Sequence, residues 1–335
     1  MSGKQNNCIL DVKDLHVKFR TDFGTVSAVN GVDFQVTQGD SIAIVGESGC
    51  GKSVTAYSIL RILPKSASIS ATQINFRKRD GTVRDLAGLP PNGKEIRDIR
   101  GAEISMIFQE PMVAFSPVHT VGNQICESML LHQDMSKDEA RWRAIELLGH
   151  VGISNPGQRV DEYPFQLSGG MRQRAMIAMA LACNPRLLIA DEPTTALDVT
   201  IQAQVLRLIK RMQSERNLSL ILITHDLGIV AQMVDYVYVV YLGYVLEAAS
   251  VREVFKNPKH PYTMDLLRSI PTLKGVKGRL RTIKGSVPSA YELPDGCPYH
   301  PRCERLIGNI CRETFPPEME TDPDHLVSCH LYVQE

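Results

Sequence analysis

Residues 41–53, Ser41-Ile-Ala-Ile-Val-Gly-Glu-Ser-Gly-Cys-Gly-Lys-Ser53, constrain this chain more than any other stretch. The apolar residues 42–45 read as a buried strand. Gly46 follows, then four residues, then Gly51-Lys52-Ser53, and an apolar, helix-like stretch over 54–63 runs up to Pro64. The pattern G-x-x-x-x-G-K-[ST] between a strand and a helix is a phosphate-binding loop. Gly46, Gly49 and Gly51 let the backbone of Gly46, Glu47, Ser48, Gly49, Cys50 and Gly51 turn with its N–H groups inward, where side chains would block phosphates. The new helix adds the positive end of its dipole beneath them. Lys52 supplies a mobile charge for β- and γ-phosphates, and Ser53 offers a hydroxyl to Mg²⁺. The loop predicts nucleotide binding and leaves open what the nucleotide drives.

Two other stretches carry chemistry. Leu187-Leu-Ile-Ala-Asp191-Glu192 is an apolar strand ending in two acids. Asp191 at such an edge suits Mg²⁺, and Glu192 suits orientation or deprotonation of an attacking water. Solvated acids at a strand end would look the same in isolation; paired with a phosphate loop, the active reading dominates. Leu167-Ser-Gly-Gly-Met-Arg-Gln-Arg174 precedes a helix, and Ser168, Gly169 and Gly170 open it with hydroxyl and backbone donors that can receive an anion. An ordinary serine N-cap has the same appearance.

The surrounding pattern sets the fold class. Residues 8–45 alternate apolar and polar, as an antiparallel β region does, and 71–77 and 105–108 are further short strand candidates. From 121 to 182 the periodicity is helical. Residues 137–151 place Ala140, Ala144, Leu147, Leu148 and Val151 on one face, with Ser136 as N-cap and Glu139 three residues on. Strands at 187–190, 218–224 and 236–241 then alternate with helices at 199–215 and 227–234, and 236–241 reads as the final strand. Such alternation gives an α/β fold with a mostly parallel sheet. Length allows about two domains, and no internal repeat is visible. The 335 residues are 43% hydrophobic, with 37 basic and 37 acidic residues, so a large core is expected and a basic nucleic-acid interface is not. The first ten residues lack a secretory apolar segment, and no run reaches about 18 apolar residues, so neither a signal peptide nor a membrane span is expected.

The order of these motifs carries a resemblance: the phosphate loop, then Gln109, Leu167-Ser-Gly-Gly170, Leu187 to Glu192, Ala196-Leu-Asp198 and His225. Over residues 8–250 the chain resembles the nucleotide-binding subunit of an ABC transporter. The resemblance implies a RecA-like parallel sheet core, an antiparallel β subdomain and a helical subdomain over about 112–184. It implies ATP and Mg²⁺ as cofactors, with two subunits closing head to tail over two ATP molecules. Ser168 and Gly170 would then contact the γ-phosphate held by Lys52 of the other subunit. Gln109 would sense Mg²⁺ beside Ser53 and Asp191 and report to membrane subunits, His225 would contact the γ-phosphate, and Asp198 would link the two sites. Phe19 matches the aromatic that stacks on adenine, or is a plain core-facing strand residue. Met171 stands where the family more often has Gln, which leaves the Ser-Gly-Gly donors intact.

Residues 251–335 narrow the family. Asn257-Pro-Lys-His-Pro-Tyr-Thr263, Gly285-Ser-Val-Pro288 and Leu293-Pro-Asp-Gly-Cys-Pro-Tyr-His-Pro-Arg-Cys303 are similar to the C-terminal extension of oligopeptide and dipeptide importer ATPases. The resemblance implies a peripheral subunit on the cytoplasmic face of the cell membrane that powers peptide uptake. Its partners would be a second, different ATPase subunit, two membrane permeases and an extracytoplasmic substrate-binding protein, with no nucleic acid. Related importers carry nickel, glutathione or oligosaccharides. Soluble ABC proteins that act on nucleic acid or ribosomes usually have two nucleotide units or a long coiled-coil insertion, and export ATPases are often fused to membrane helices; neither pattern is here.

Of eight cysteines, Cys8, Cys50, Cys126 and Cys183 are scattered, while Cys297, Cys303, Cys311 and Cys329 crowd the tail. Without a signal peptide the compartment reads as reducing, where clustered cysteines point to metal more than to disulfides. The spacing is not that of zinc ribbons or bacterial ferredoxins. The resemblance implies a [4Fe–4S] cluster on the four cysteines. Zinc is the alternative, with His300 and His330 nearby, and free structural thiols are another. The tail is expected to have little core of its own, to be braced by the metal, and to lie apart from the unit holding the phosphate loop.

Overall fold

The computed structural model describes residues 7–194, 197–269 and 283–333. Among these, the strands form two sheets. β1 (Cys8–Thr21) and β2 (Gly24–Thr37) form a long antiparallel hairpin. β4 (Ala67–Ser70), β5 (Gln73–Arg77) and β6 (Val83–Asp85) complete this five-stranded antiparallel sheet, in which β4 and β5 both pair with β1.

The second sheet has eight strands, in the order β12 (Glu318–Asp322), β13 (His325–Ser328), β11 (Tyr244–Ser250), β10 (Tyr236–Tyr241), β3 (Ser41–Val45), β9 (Ser219–Thr224), β8 (Leu187–Asp191) and β7 (Ile104–Ile107). β3 (Ser41–Val45), β7 (Ile104–Ile107), β8 (Leu187–Asp191), β9 (Ser219–Thr224) and β10 (Tyr236–Tyr241) are its parallel part. β3, β7, β8 and β9 are buried at every position, which explains their near-continuous apolar sequences. Their alternate residues serve different cores. Ala43, Val45, Leu188, Ala190, Leu220 and Leu222 face the helical layer. Ile42, Ile44, Leu187, Ile189, Ile221 and Ile223 pack with the antiparallel sheet. The parallel sheet is thus the middle layer, and its strand ends lie between two packed faces.

The helical region comprises Val121–His132, Lys137–His150, the short Pro156–Arg159 and Gly169–Leu181. Ser136 caps as expected: its Oγ accepts the Glu139 N–H at 3.2 Å.

The tail departs from expectation. Tyr236–Tyr241 is not the final strand, because β11 (Tyr244–Ser250) turns back along it. The tail strand β13 (His325–Ser328) pairs with β11, and β12 (Glu318–Asp322) pairs with β13. The tail therefore does have a core, shared with the main sheet. Tyr299 is fully buried, with its ring 5.3 Å from Tyr241 and 5.2 Å from Tyr262, centroid to centroid. Behind it, the Glu247 carboxylate of β11 accepts from the Lys259 and His260 N–H groups and bonds His325 at 2.8 Å. Burial pushes the Glu247 carboxyl up, but these bonds, that from His325 foremost, outweigh it and hold Glu247 below the usual carboxylate range. None of the described helices is long and apolar enough to cross a membrane.

Candidate nucleotide site

The buried strand β3 ends at Val45, and the chain turns through Gly46–Gly51 into the helix Lys52–Ile59. Two glycines are required here. A Cβ on Gly46 would collide with the Val240 carbonyl oxygen of β10. Gly51 has φ 97°, and a Cβ there would strike the Ala28 carbonyl oxygen. The first-turn N–H groups of the helix have no acceptors within it and are free for an anion. Lys52 is buried, and its ammonium donates to the carbonyls of Gly46 at 2.8 Å and Glu47 at 2.9 Å. The loop's own carbonyls hold that charge over the turn.

The strand after the helical region brings the acids to this turn. Ser53 Oγ donates to Asp191 Oδ1 at 3.0 Å, across 138 residues of sequence. Asp191 is fully buried, and its Oδ2 lacks a hydrogen bond of good geometry. Burial raises the Asp191 carboxyl, and the Glu192 charge beside it adds to this against the Ser53 bond. Tyr57, one helical turn past Ser53, is pushed up to about 12 by burial and the same carboxylate. A hydroxyl beside an underbonded buried carboxylate is the oxygen chemistry a Mg²⁺ ion takes, so Ser53 and Asp191 fit that ion.

Glu192 stands at the next position with φ 46°, in the left-handed region that non-glycine residues rarely occupy. Its N–H is held by the Ile223 carbonyl at 2.8 Å. The turn aims the carboxylate at two side chains from other strand ends. Oε2 accepts from Gln109 Nε2 at 3.1 Å, and Oε1 bonds His225 Nδ1 at 3.0 Å. Gln109 follows β7, Glu192 follows β8 and His225 follows β9, so three adjacent parallel strands deliver the three residues to one edge of the sheet. The arrangement can hold a water-activating carboxylate between a neutral amide and a titratable ring.

Other expected residues stand apart from this group. Ser168 and Gly169 are exposed, and the Ser168 Oγ caps its helix through the Met171 N–H at 3.3 Å. Among the described residues no hydrogen bond joins Ser168, Gly169 or Gly170 to the phosphate loop of the same chain. Asp198 caps the helix Val199–Arg216, accepting from the Ile201 N–H at 2.9 Å; Ala196 lies outside the described residues. Phe19 is half-buried on β1 opposite Val26 and touches the antiparallel-sheet core, while Phe23 at the hairpin turn is 89% exposed.

The four tail cysteines line one small cavity with His260, His300 and His330. Cys297, Cys311 and Cys329 are buried and Cys303 is half-buried. Burial pushes the Cys297 thiol up to about 12 and Cys329 to about 11. Backbone N–H groups of Arg305 and Ile307 point at the sulfurs of Cys303 and Cys311, each at 3.4 Å. Among the described residues no three His, Cys, Asp or Glu side chains are placed to hold a metal ion.

Three residues that touch the site lie within stretches quoted above, but nothing in those stretches gives them a role at it. The Tyr262 phenol accepts the Glu47 N–H at 2.9 Å, and Arg302 forms an ion pair with the Glu47 carboxylate. Gln173, buried in the helix after Ser168, donates to the Pro193 carbonyl next to Glu192. Each is a phenol, guanidinium or amide in apolar or Pro-rich sequence, with no partner in view along the chain. The expected separation of the tail from the phosphate loop is therefore wrong, because Tyr262 and Arg302 both reach it.

Comparison with known proteins identifies the family. Residues 29–195 match the ABC transporter family, and residues 246–311 match the oligopeptide/dipeptide transporter C-terminal region. The chain is 49% identical over 328 residues to the dipeptide transport ATP-binding protein DppD of Bacillus subtilis, covering 97% of this chain and 95% of the relative. It is 47% identical to the oligopeptide transport ATP-binding protein AppD of the same organism, covering 98% of each. Among solved structures, the ATP-binding cassette MJ0796, seen as a dimer bound to ADP and Pi, superposes with a TM-score of 0.63 at 25% identity, over 73% of this chain and 99% of that one. Near-half identity to DppD and AppD over almost their whole length shows that the chain belongs to the ABC transporter family, among its ATP-binding proteins with an oligopeptide/dipeptide transporter C-terminal region.

Proposed function

We propose that the chain hydrolyses ATP to power uptake of di- or oligopeptides through a membrane importer. The observation that carries the chemistry is the meeting of Gln109, Glu192 and His225 beside the Ser53–Asp191 pair. Lys52 and the loop N–H groups bind the phosphates. Ser53 and Asp191 hold Mg²⁺, which neutralises charge on the phosphates when bound. Glu192 takes the proton of the attacking water, with its carboxylate oriented by Gln109 and His225. Phe19 stacks on adenine. The peptide cargo follows from likeness, since both relatives named above are described as peptide transport proteins and match from end to end.

Ser168, Gly169 and Gly170 complete the site of a second ATPase subunit, and Asp198 couples the two sites. The support is that, among the described residues, no hydrogen bond joins these groups to the chain's own phosphate loop, and that MJ0796 is described as dimeric. We take the partner to be a different chain. Residues 8–250 act as the nucleotide-binding unit, and 251–335 as an extension docked on it. Met112, Val113 and Val118 follow Gln109 and are exposed, Val113 and Val118 at 72% each. They supply apolar surface for two permeases on the cytoplasmic face of the membrane, with a substrate-binding protein on the other side. Co-purification with two membrane proteins and a second ATPase supports the assembly. Co-purification with ribosomes or nucleic acid instead would refute it.

Cys297, Cys303, Cys311 and Cys329 hold a [4Fe–4S] cluster in this reading. A single zinc ion draws four sulfurs to one point at about 2.3 Å each. A cluster instead uses one thiolate per iron, so four cysteines lining one cavity match its four irons. The Arg305 N–H aimed at Cys303 favours its thiolate, against the burial that disfavours it. Protein purified without oxygen is expected to be brown, with about four irons per chain. Colourless protein with stoichiometric zinc, or with no metal, would overturn this.

A further inference from the structure

Arg302 comes from a tail rich in Pro and Gly, yet its side chain is only 4% exposed. Every part of its guanidinium is engaged. Nη1 donates to Glu47 Oε2 at 2.6 Å and Nη2 to Oε1 at 3.2 Å, a two-point clamp on the second residue of the phosphate loop, 255 positions away. Nη1 also donates to the Tyr241 hydroxyl at 3.2 Å, and Nε to the Lys284 carbonyl at 2.9 Å. The guanidinium lies 5.8 Å from the Tyr241 ring centre and 6.0 Å from that of Tyr299. Glu47 is in turn fixed at each of its polar groups. Its carboxylate meets Arg302, its N–H meets the Tyr262 phenol, and its carbonyl accepts from the Lys52 ammonium. Arg302 is thus two links from the lysine that binds phosphate. Elsewhere the same tail touches the hairpin bearing Phe19, where the hydroxyls of Tyr291 and Thr21 are 3.3 Å apart.

We propose that Arg302 is a positioning residue for ATP binding: by clamping the Glu47 carboxylate it holds the phosphate loop and Lys52 in their binding geometry, so the docked tail sets nucleotide affinity. Nothing in this depends on which metal the tail cysteines hold, only on ATP occupying the loop. Two effects of the pair can be separated by sign. If Arg302 served only to cancel the Glu47 charge near the phosphates, removing that charge would leave ATP affinity unchanged or raise it. If it holds the loop in place, removing either partner loosens binding, because the clamp needs both.

The test titrates Mg·ATP into the full chain carrying Glu47→Gln, Arg302→Gln or both, with thermal unfolding and tail metal content measured on each. Breaking a charge-assisted, two-point hydrogen bond next to the binding loop predicts Kd raised about tenfold in Glu47→Gln and in Arg302→Gln. The double variant should be no weaker than about the same tenfold, since the same interaction is absent from all three. Glu47 sits at the loop and is partly exposed, so Glu47→Gln remains decisive even where Arg302→Gln fails to fold. Folded Glu47→Gln protein with wild-type or tighter ATP binding overturns the proposal. So does a loss near a hundredfold in the double variant, which would mean that the two residues act independently.

Discussion

Asp191 and Glu192 are neighbours in sequence with opposite surroundings. Asp191 ends a strand inside the protein, held by the Ser53 hydroxyl, while Glu192 is turned by its left-handed backbone toward side chains at the exposed edge. In the proposed mechanism, one peptide unit separates the metal-binding environment from the proton-accepting one. Asp191→Asn keeps the volume and the Ser53 bond but removes the charge. It is expected to abolish the strengthening of ATP binding by Mg²⁺, measured as the ratio of ATP affinity with and without Mg²⁺, while metal-free ATP binds as well or better. An unchanged ratio would move the ion elsewhere. Lys52, Ser53, Asp191 and Glu192 were legible in sequence because strand, loop and acid occur in a fixed local pattern. Tyr57, Tyr262, Gln173 and Arg302 were not, because each acts through a contact that only folding creates.

Among the elements, legibility followed burial. β3, β8 and β9 are apolar at nearly every position because both faces are covered, and their boundaries were read within a residue or so. β4, β6, β12 and β13 have three to five residues each. β12, Glu318-Met-Glu-Thr-Asp322, is mostly acidic, a composition depleted in strands. It exists because β13 offers an edge, which no local signal reveals. Helix starts were clearer where a side chain caps them. Asp198 carries a local role of this kind in addition to the proposed coupling. Replacing it with Ala should lower stability by about 1 kcal/mol through loss of the cap alone, read by denaturant unfolding of the single chain. Asn accepts the same N–H bond, so Asp198→Asn should restore stability. If Asn fails to do so, the capping account is wrong.

At the scale of the whole molecule, the middle sheet joins parts that sequence separates. Its parallel strands deliver Gln109, Asp191, Glu192 and His225 to one edge beside the phosphate loop. Its antiparallel end recruits the tail through β11 and β13. The tail then packs Tyr299 against Tyr241 and sends Arg302 to the loop. The motif order was enough to indicate the nucleotide unit and its kinship. It could not show that the extension is built into that unit, because partners 255 positions apart leave no periodicity. The central claim is that Glu192, held between Gln109 and His225, is the base for an ATP hydrolysis that drives transport. The most direct measurement is ATP turnover and peptide uptake by the assembled transporter in liposomes with Glu192→Gln, alongside the nucleotide it retains. The account predicts that ATP remains bound while hydrolysis and uptake fall together by about 10²–10⁴-fold. Hydrolysis near the wild-type rate would contradict it.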